Sequence, residues 1–194
     1  MSVGIRAGAG ALMMALVLTP ASAADLLSPE AIAPDAGTTA GGFRLFDEVR
    51  ASVLGHDAFG NDTGVGIGGE LLTSNIPINS GNMLVDAIFG PRIHFGGVAA
   101  VDAEPNYVYT GFTWTVPLGD TFFVEGALGV SLNDGGEDGP VRCDWSFRES
   151  AAIGMALDAN WRILAGVEHL SHAGLCGDSN PGITSVSATV GYRF

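Results

Sequence analysis

Three observations predict an all-β chain folded as an eight-stranded antiparallel transmembrane β-barrel of the outer membrane. Beyond its first residues the sequence offers no run of ~18 unbroken apolar residues, so a spanning helix is excluded. A chain of this kind enters a bilayer only as a closed barrel, in which strands satisfy one another's backbone groups. From residue 43 onward, apolar residues alternate with small or polar ones over eight stretches, most near the roughly 9–11 residues of a tilted membrane strand. The last of these stretches closes the chain on an aromatic residue, Phe194.

The N-terminal residues read as an address. Residues 1–23 carry one positive charge, Arg6, an apolar run over 7–18, and Ala21-Ser22-Ala23 ahead of Ala24-Asp25, the pattern of a secretory signal peptide cleaved after Ala23 or one residue later. Residues 24–42, rich in Pro, Ala, Gly and Thr without a period, read as a periplasmic lead-in. The barrel domain then spans 43–194.

Alternation predicts strands over 43–56, 63–73, 83–95, 106–116, 121–132, 147–157, 162–171 and 184–194. The connections at 118–120 and 158–160 are tight, whereas 57–62, 96–105, 133–146 and 172–183 are mostly longer and rich in Gly, Asp and Asn. Short periplasmic turns and longer outer loops are the usual barrel arrangement, with 74–82 the exception.

Parity assigns the faces. In the fifth strand Phe122, Val124, Leu128, Val130 and Leu132 share one side, and Phe123, Glu125, Ala127, Gly129 and Ser131 the other. With the more apolar side toward lipid, Glu48, Glu70, Asp86, Glu125 and Glu168 point inward with Arg50, Arg92, Arg148, Arg162 and Arg193. Such a balance predicts a narrow lumen filled by ion pairs rather than a conducting pore. His56 and His94 also fall inward, near the outer rim. A soluble lipid-binding barrel alternates in the same way with its faces reversed, and the aromatic C-terminus decides for the membrane.

The charge and cysteines narrow the partners. The net charge is −13 and all eight basic residues are arginine, which excludes nucleic acid, whose phosphates need a basic surface. Cys143 and Cys176 fall in the third and fourth outer loops, and in an exported chain they are expected to pair. Cys-x-x-Cys spacing is absent, so no metal site is expected.

The residues capable of chemistry cluster near the C-terminus. His169 and Ser171 are two apart on one strand, hence on one face with Cβ atoms ~6–7 Å apart. A histidine at that distance can take the proton of a serine hydroxyl attacking a carbonyl carbon. The same pattern arises from a strand-end serine beside an interfacial histidine.

The wider run, Glu168-His169-Leu170-Ser171-His172-Ala173-Gly174-Leu175 followed by Asn180-Pro181-Gly182 and a terminal strand, resembles the PagL family of outer-membrane lipid A 3-O-deacylases. The likeness is strongest over 161–194 and extends more weakly through Phe-Arg-Glu at 147–149 and the eight strands. It implies Ser171 as nucleophile and His169 as general base, acting without a cofactor on the 3-O-linked acyl ester of lipid A in the outer leaflet. Asn180 and the backbone N–H of Gly174 become candidate oxyanion donors, with His172 beside them. The chain departs from the family pattern twice: His172 stands where an asparagine is expected, and Thr184 where the acid is. Threonine cannot supply the negative charge that stabilises an imidazolium.

Register offers another acid. If strands six and seven form a hairpin with Leu157 opposite Trp161, counting back places Glu149 opposite His169, with Cβ atoms ~5 Å apart. Glu149 is therefore the candidate third member, with Thr184 at most a hydrogen-bonding neighbour. An interfacial carboxylate paired with an arginine would occupy the same place. A barrel that keeps the scaffold without the chemistry is the alternative function.

Overall fold

The computed structural model describes residues 42–194 apart from 61–62, 102–104, 137–138 and 178. The segments read as signal peptide (1–23) and lead-in (24–42, through residue 41) lie outside the described residues. Eight strands, β1 (Glu48–His56), β2 (Gly64–Asn75), β3 (Arg92–Ala100), β4 (Tyr107–Leu118), β5 (Phe122–Asn133), β6 (Trp145–Ala156), β7 (Trp161–Ser171) and β8 (Ile183–Arg193), follow one another around the wall, with a helix α1 (Met83–Phe89) between β2 and β3. Every neighbour is antiparallel, and β1 pairs with β8 from Glu48↔Arg193 to Gly55↔Val186, closing the barrel.

The faces follow the parity read from the sequence. On β4, Val108, Phe112 and Val116 are 60%, 46% and 50% exposed, while Tyr107, Tyr109 and Thr113 are buried. The same holds on β8, where Val186, Ala188 and Val190 face out and Ser185 and Gly191 face in. A belt of exposed Val, Leu, Ile and Phe around the whole wall is far larger than an apolar patch on a water-soluble monomer and calls for lipid. Trp161, Tyr192 and Phe194 join ring to ring at the end that holds the C-terminus, an aromatic girdle residue by residue.

One expected strand is corrected. Residues 83–89 are helical rather than the first half of a strand over 83–95, and β3 begins only at Arg92 and runs into the expected loop to Ala100. The run Met-Leu-Val-Asp-Ala-Ile-Phe is apolar at nearly every position, so two-residue periodicity cannot separate helix from strand there. Asn82 decides it locally: its Oδ1 accepts the Val85 N–H at 3.3 Å and its carbonyl accepts the Asp86 N–H at 2.9 Å. Asp86 is consequently outside the lumen.

Asp47 takes the inward place assigned to Asp86. It lies one residue before β1, where strand parity no longer governs, and it is fully buried against Arg92 and Arg193 at 3.2 Å each and against Arg44. Above it, Glu48 bridges Arg50 and Arg92 at 2.6 Å each. Arg50 then reaches Glu125 in a bidentate pair at 2.7 and 2.9 Å and touches Glu70 at 3.4 Å. Higher still, Glu168 holds Arg148 at 2.6 Å and accepts from the Tyr107 hydroxyl, while Arg148 stacks 3.9 Å from the centre of the Tyr109 ring. The outer mouth is closed by apolar packing of Leu54, Val98, Val141, Leu170 and Ile183. What remains between these layers is a cavity of about 60 Å³, so the lumen is filled by side chains.

Candidate active site

The site is built on the outward face of β6, β7 and β8, just below the outer loops. β7 pairs with β6 at Glu149↔His169 and Phe147↔Ser171, and with β8 at His169↔Thr184. The tight 157–160 turn sets this register, the Leu157 N–H donating to the Trp161 carbonyl at 2.9 Å. Glu149, His169 and Thr184 thus form one rung across three strands, and Ser171, the last residue of β7, sits one outward position above.

His169 is fixed from the β8 side. Its Nδ1 and the Thr184 Oγ1 are hydrogen-bonded at 2.8 Å, at the place a triad carboxylate would take. Gly182 lies beneath the other edge of the ring: a Cβ there would stand 2.9 Å from the imidazole Cε1 and 3.1 Å from Nε2. Gly182 also has φ +62°, so the position demands glycine on two counts. The Cε1–Nε2 edge of the ring is thus the one on the Gly182 side. Glu149, exposed on the β6 side, has no hydrogen bond to His169 among the described residues.

The loop after Ser171 is held by His172, which is not part of the lipid-facing surface. Its side chain is fully buried; Nδ1 accepts the Cys176 N–H at 3.2 Å, which leaves the proton on Nε2 to donate to the Ser179 carbonyl at 3.0 Å. His172 N–H donates to Asn180 Oδ1 at 3.1 Å, which fixes the amide through its oxygen. Ala173 and Gly174 follow at φ +51° and +78°, turning the chain sharply. Cys143 and Cys176 are disulfide-bonded with Cα atoms 5.9 Å apart, tying this loop to the one before β6. Their side chains and His172 clamp the segment that carries Gly174 and Asn180.

Sequence reasoning brought out Ser171, His169, Glu149, Asn180, Gly174 and Thr184 and gave Gly182 no role. The signal for Gly182 was present in its place in the Asn-Pro-Gly run, but only the strand pairing puts the imidazole over it. Substituting Gly182→Ala is expected to push the ring off Thr184 while the barrel still folds and, with His169 as the base proposed below, to lower hydrolysis by about 10-fold or more; assay of the refolded variant beside its heat-modifiable migration checks both halves.

The model of a family described as lipid A 3-O-deacylase (PagL) matches residues 102–193, which take in β4 to β8 and the whole site. Over these residues the chain is similar to the PagL family. The crystal structure of the outer membrane enzyme PagL is similar over 74% of this chain and 97% of that one, with a TM-score of 0.57 at 19% identity, a likeness of fold. A de novo designed transmembrane β-barrel covers 77% of this chain and 95% of its own at TM-score 0.48 and 9% identity, and the Yersinia pestis outer membrane protein Ail 76% and 99% at 0.45 and 15%. No curated protein matches the chain. The eight-stranded barrel is of the outer-membrane kind, and the longer loops rising from β7 and β6 mark the end at which its candidate site lies.

Proposed function

We propose that this protein is an outer-membrane esterase that removes the 3-O-linked acyl chain of lipid A, with Ser171 as nucleophile and His169 as base. The observation that carries the reading is the His169–Ser171 pair on the lipid-facing wall, its imidazole held through Nδ1 by Thr184. With the Nδ1 proton donated to Thr184 Oγ1, Nε2 keeps its lone pair and can take the Ser171 proton. The serine oxygen attacks the ester carbon; the oxyanion is met by the Asn180 NH₂ and the Gly174 N–H. Collapse expels the sugar oxygen, which takes its proton from His169, and leaves the acyl chain on Ser171. Water then attacks with the same histidine as base, releasing the fatty acid. Lipopolysaccharide in the outer leaflet reaches such a site by lateral diffusion, and no cofactor enters any step.

Thr184 orients the imidazole but carries no charge, so the imidazolium formed in both steps draws its electrostatic support from Glu149 across the β6–β7 rung. Thr184→Val, which deletes one hydrogen bond, is expected to lower kcat by about 10-fold, and Glu149→Gln by a similar factor, with KM unchanged in each. A Glu149→Gln enzyme at the wild-type rate would remove that residue from the mechanism.

The second reading, a non-catalytic surface barrel, is favoured by one observation: no carboxylate is bonded to His169 among the described residues. Mass spectrometry of lipid A incubated with the refolded protein separates the two. Loss of one 3-hydroxyacyl chain supports the esterase; unchanged lipid A across detergents and ionic conditions that sustain related enzymes supports the surface barrel.

A further inference from the structure

The β2–β3 connection, residues 76–91, is the long one at the periplasmic end, and α1 sits where the wall is short of a strand. β3 starts at Arg92, opposite Thr113, while β4 continues to Leu118 with β5 alone beside it. Residues 114–118 of β4 therefore have no strand partner on the β3 side. A barrel edge left open at membrane depth is costly, because lipid offers its backbone no hydrogen bonds.

The helix is fixed against that edge. Trp114 Nε1 donates to the Ile88 carbonyl at 2.8 Å, and the two ends of the connection are pinned by Ile76 N–H to Pro91 O at 3.0 Å and Asn75 Nδ2 to Gly90 O at 2.7 Å. Asp86, the one charged residue of α1, turns its carboxylate back to accept the Ser80 N–H at 2.8 Å. The side away from the barrel is apolar, with Ile88 59% and Phe89 63% exposed. They continue the belt formed next to them by Phe112, Val116 and Leu118, which are 46%, 50% and 51% exposed. Phe112 and Trp114 are in ring contact, so the aromatic level of the wall and the helix coincide.

We propose that α1 is an interfacial helix whose Ile88–Phe89 end is bedded in the phospholipids of the periplasmic leaflet, completing the lipid-facing wall beside β4. The partner is the acyl and glycerol region rather than the headgroup phosphates, because the helix has no lysine or arginine to attract an anion. A helix of seven residues is too short to persist alone in water. Docking on Trp114 and insertion of its apolar end hold it together.

The experiment places a nitroxide label at Ile88→Cys, Phe89→Cys and, in the β4–β5 turn, Asp120→Cys, each in the full protein with its native disulfide formed. The proteins are refolded into vesicles of phosphatidylethanolamine and phosphatidylglycerol, and heat-modifiable migration confirms the barrel. Collision rates with dissolved oxygen and with a water-soluble nickel chelate on both sides of the membrane are then compared. The expected result is an oxygen-to-nickel ratio several-fold higher at 88 and 89 than at 120. Equal ratios at the three positions, which place the helix in water, overturn the proposal. Labels at 88 and 89 shielded from both reagents also overturn it, in favour of a second copy or another protein covering the helix. None of these outcomes depends on esterase activity.

Discussion

Replacing Ser171 with alanine is expected to abolish release of the 3-O-linked chain, lowering the rate by at least about 10³-fold while the barrel remains folded. The hydroxyl supplies the bond-forming atom of the first step, and a methyl group in its place has no lone pair to offer. The fold should be indifferent to the change: Ser171 is the last residue of its strand, half-exposed, and anchors nothing in the lumen. Lipid A incubated with wild-type and Ser171→Ala protein, refolded in parallel and matched for heat-modifiable migration, gives the comparison by mass spectrometry. A variant as active as the wild type would move the nucleophile elsewhere and leave the His169–Thr184 contact as a structural bond.

The largest effect on stability is expected at Arg50. Its guanidinium touches Glu48, Glu70 and Glu125, all of them inside the barrel, and binds Glu125 through two nitrogens. Arg50→Met leaves Glu70 and Glu125 without the cation that offsets their burial, while Glu48 keeps Arg92 and Arg162. Breaking a buried pair in this way is worth about 3–5 kcal/mol, because the remaining charge stays desolvated. The urea midpoint of the refolded barrel should fall accordingly. Removing a partner as well, in Arg50→Met/Glu125→Leu, should recover part of the loss, since the two residues form one interaction and their effects are not additive. If the single variant unfolds at the wild-type midpoint, the layer of ion pairs does not hold the lumen together.

The two expectations differ in how far they were legible beforehand. Ser171 and His169 were visible because a β-strand has a period of two, so spacing alone puts both on one face. Glu149 opposite His169 was legible for a similar reason: a tight turn at 157–160 fixes the count along both strands, and the register follows the count. The Thr184 contact needed the pairing of β7 with β8 across a longer loop, where no count can be made. His172 was placed among the substrate-facing residues from its neighbours in sequence, yet the turn after Ser171 rotates it into the loop core, where it clips Cys176, Ser179 and Asn180 together. Parity ends where the strand ends.

By itself the sequence determined the class of the fold, the lipid-facing and lumen-facing positions of nearly every strand, the His169–Ser171 pair and the disulfide partners, because each depends on local periodicity or on the only two cysteines present. Only the tertiary structure decided that residues 83–89 form a helix rather than a strand, since a uniformly apolar run fits both and the short β3 leaves the space. The tertiary structure also replaced Asp86 by Asp47 in the lumen: a residue outside a strand is oriented by what it packs against, and Asp47 packs against arginines contributed by β3 and β8, far from it in the chain.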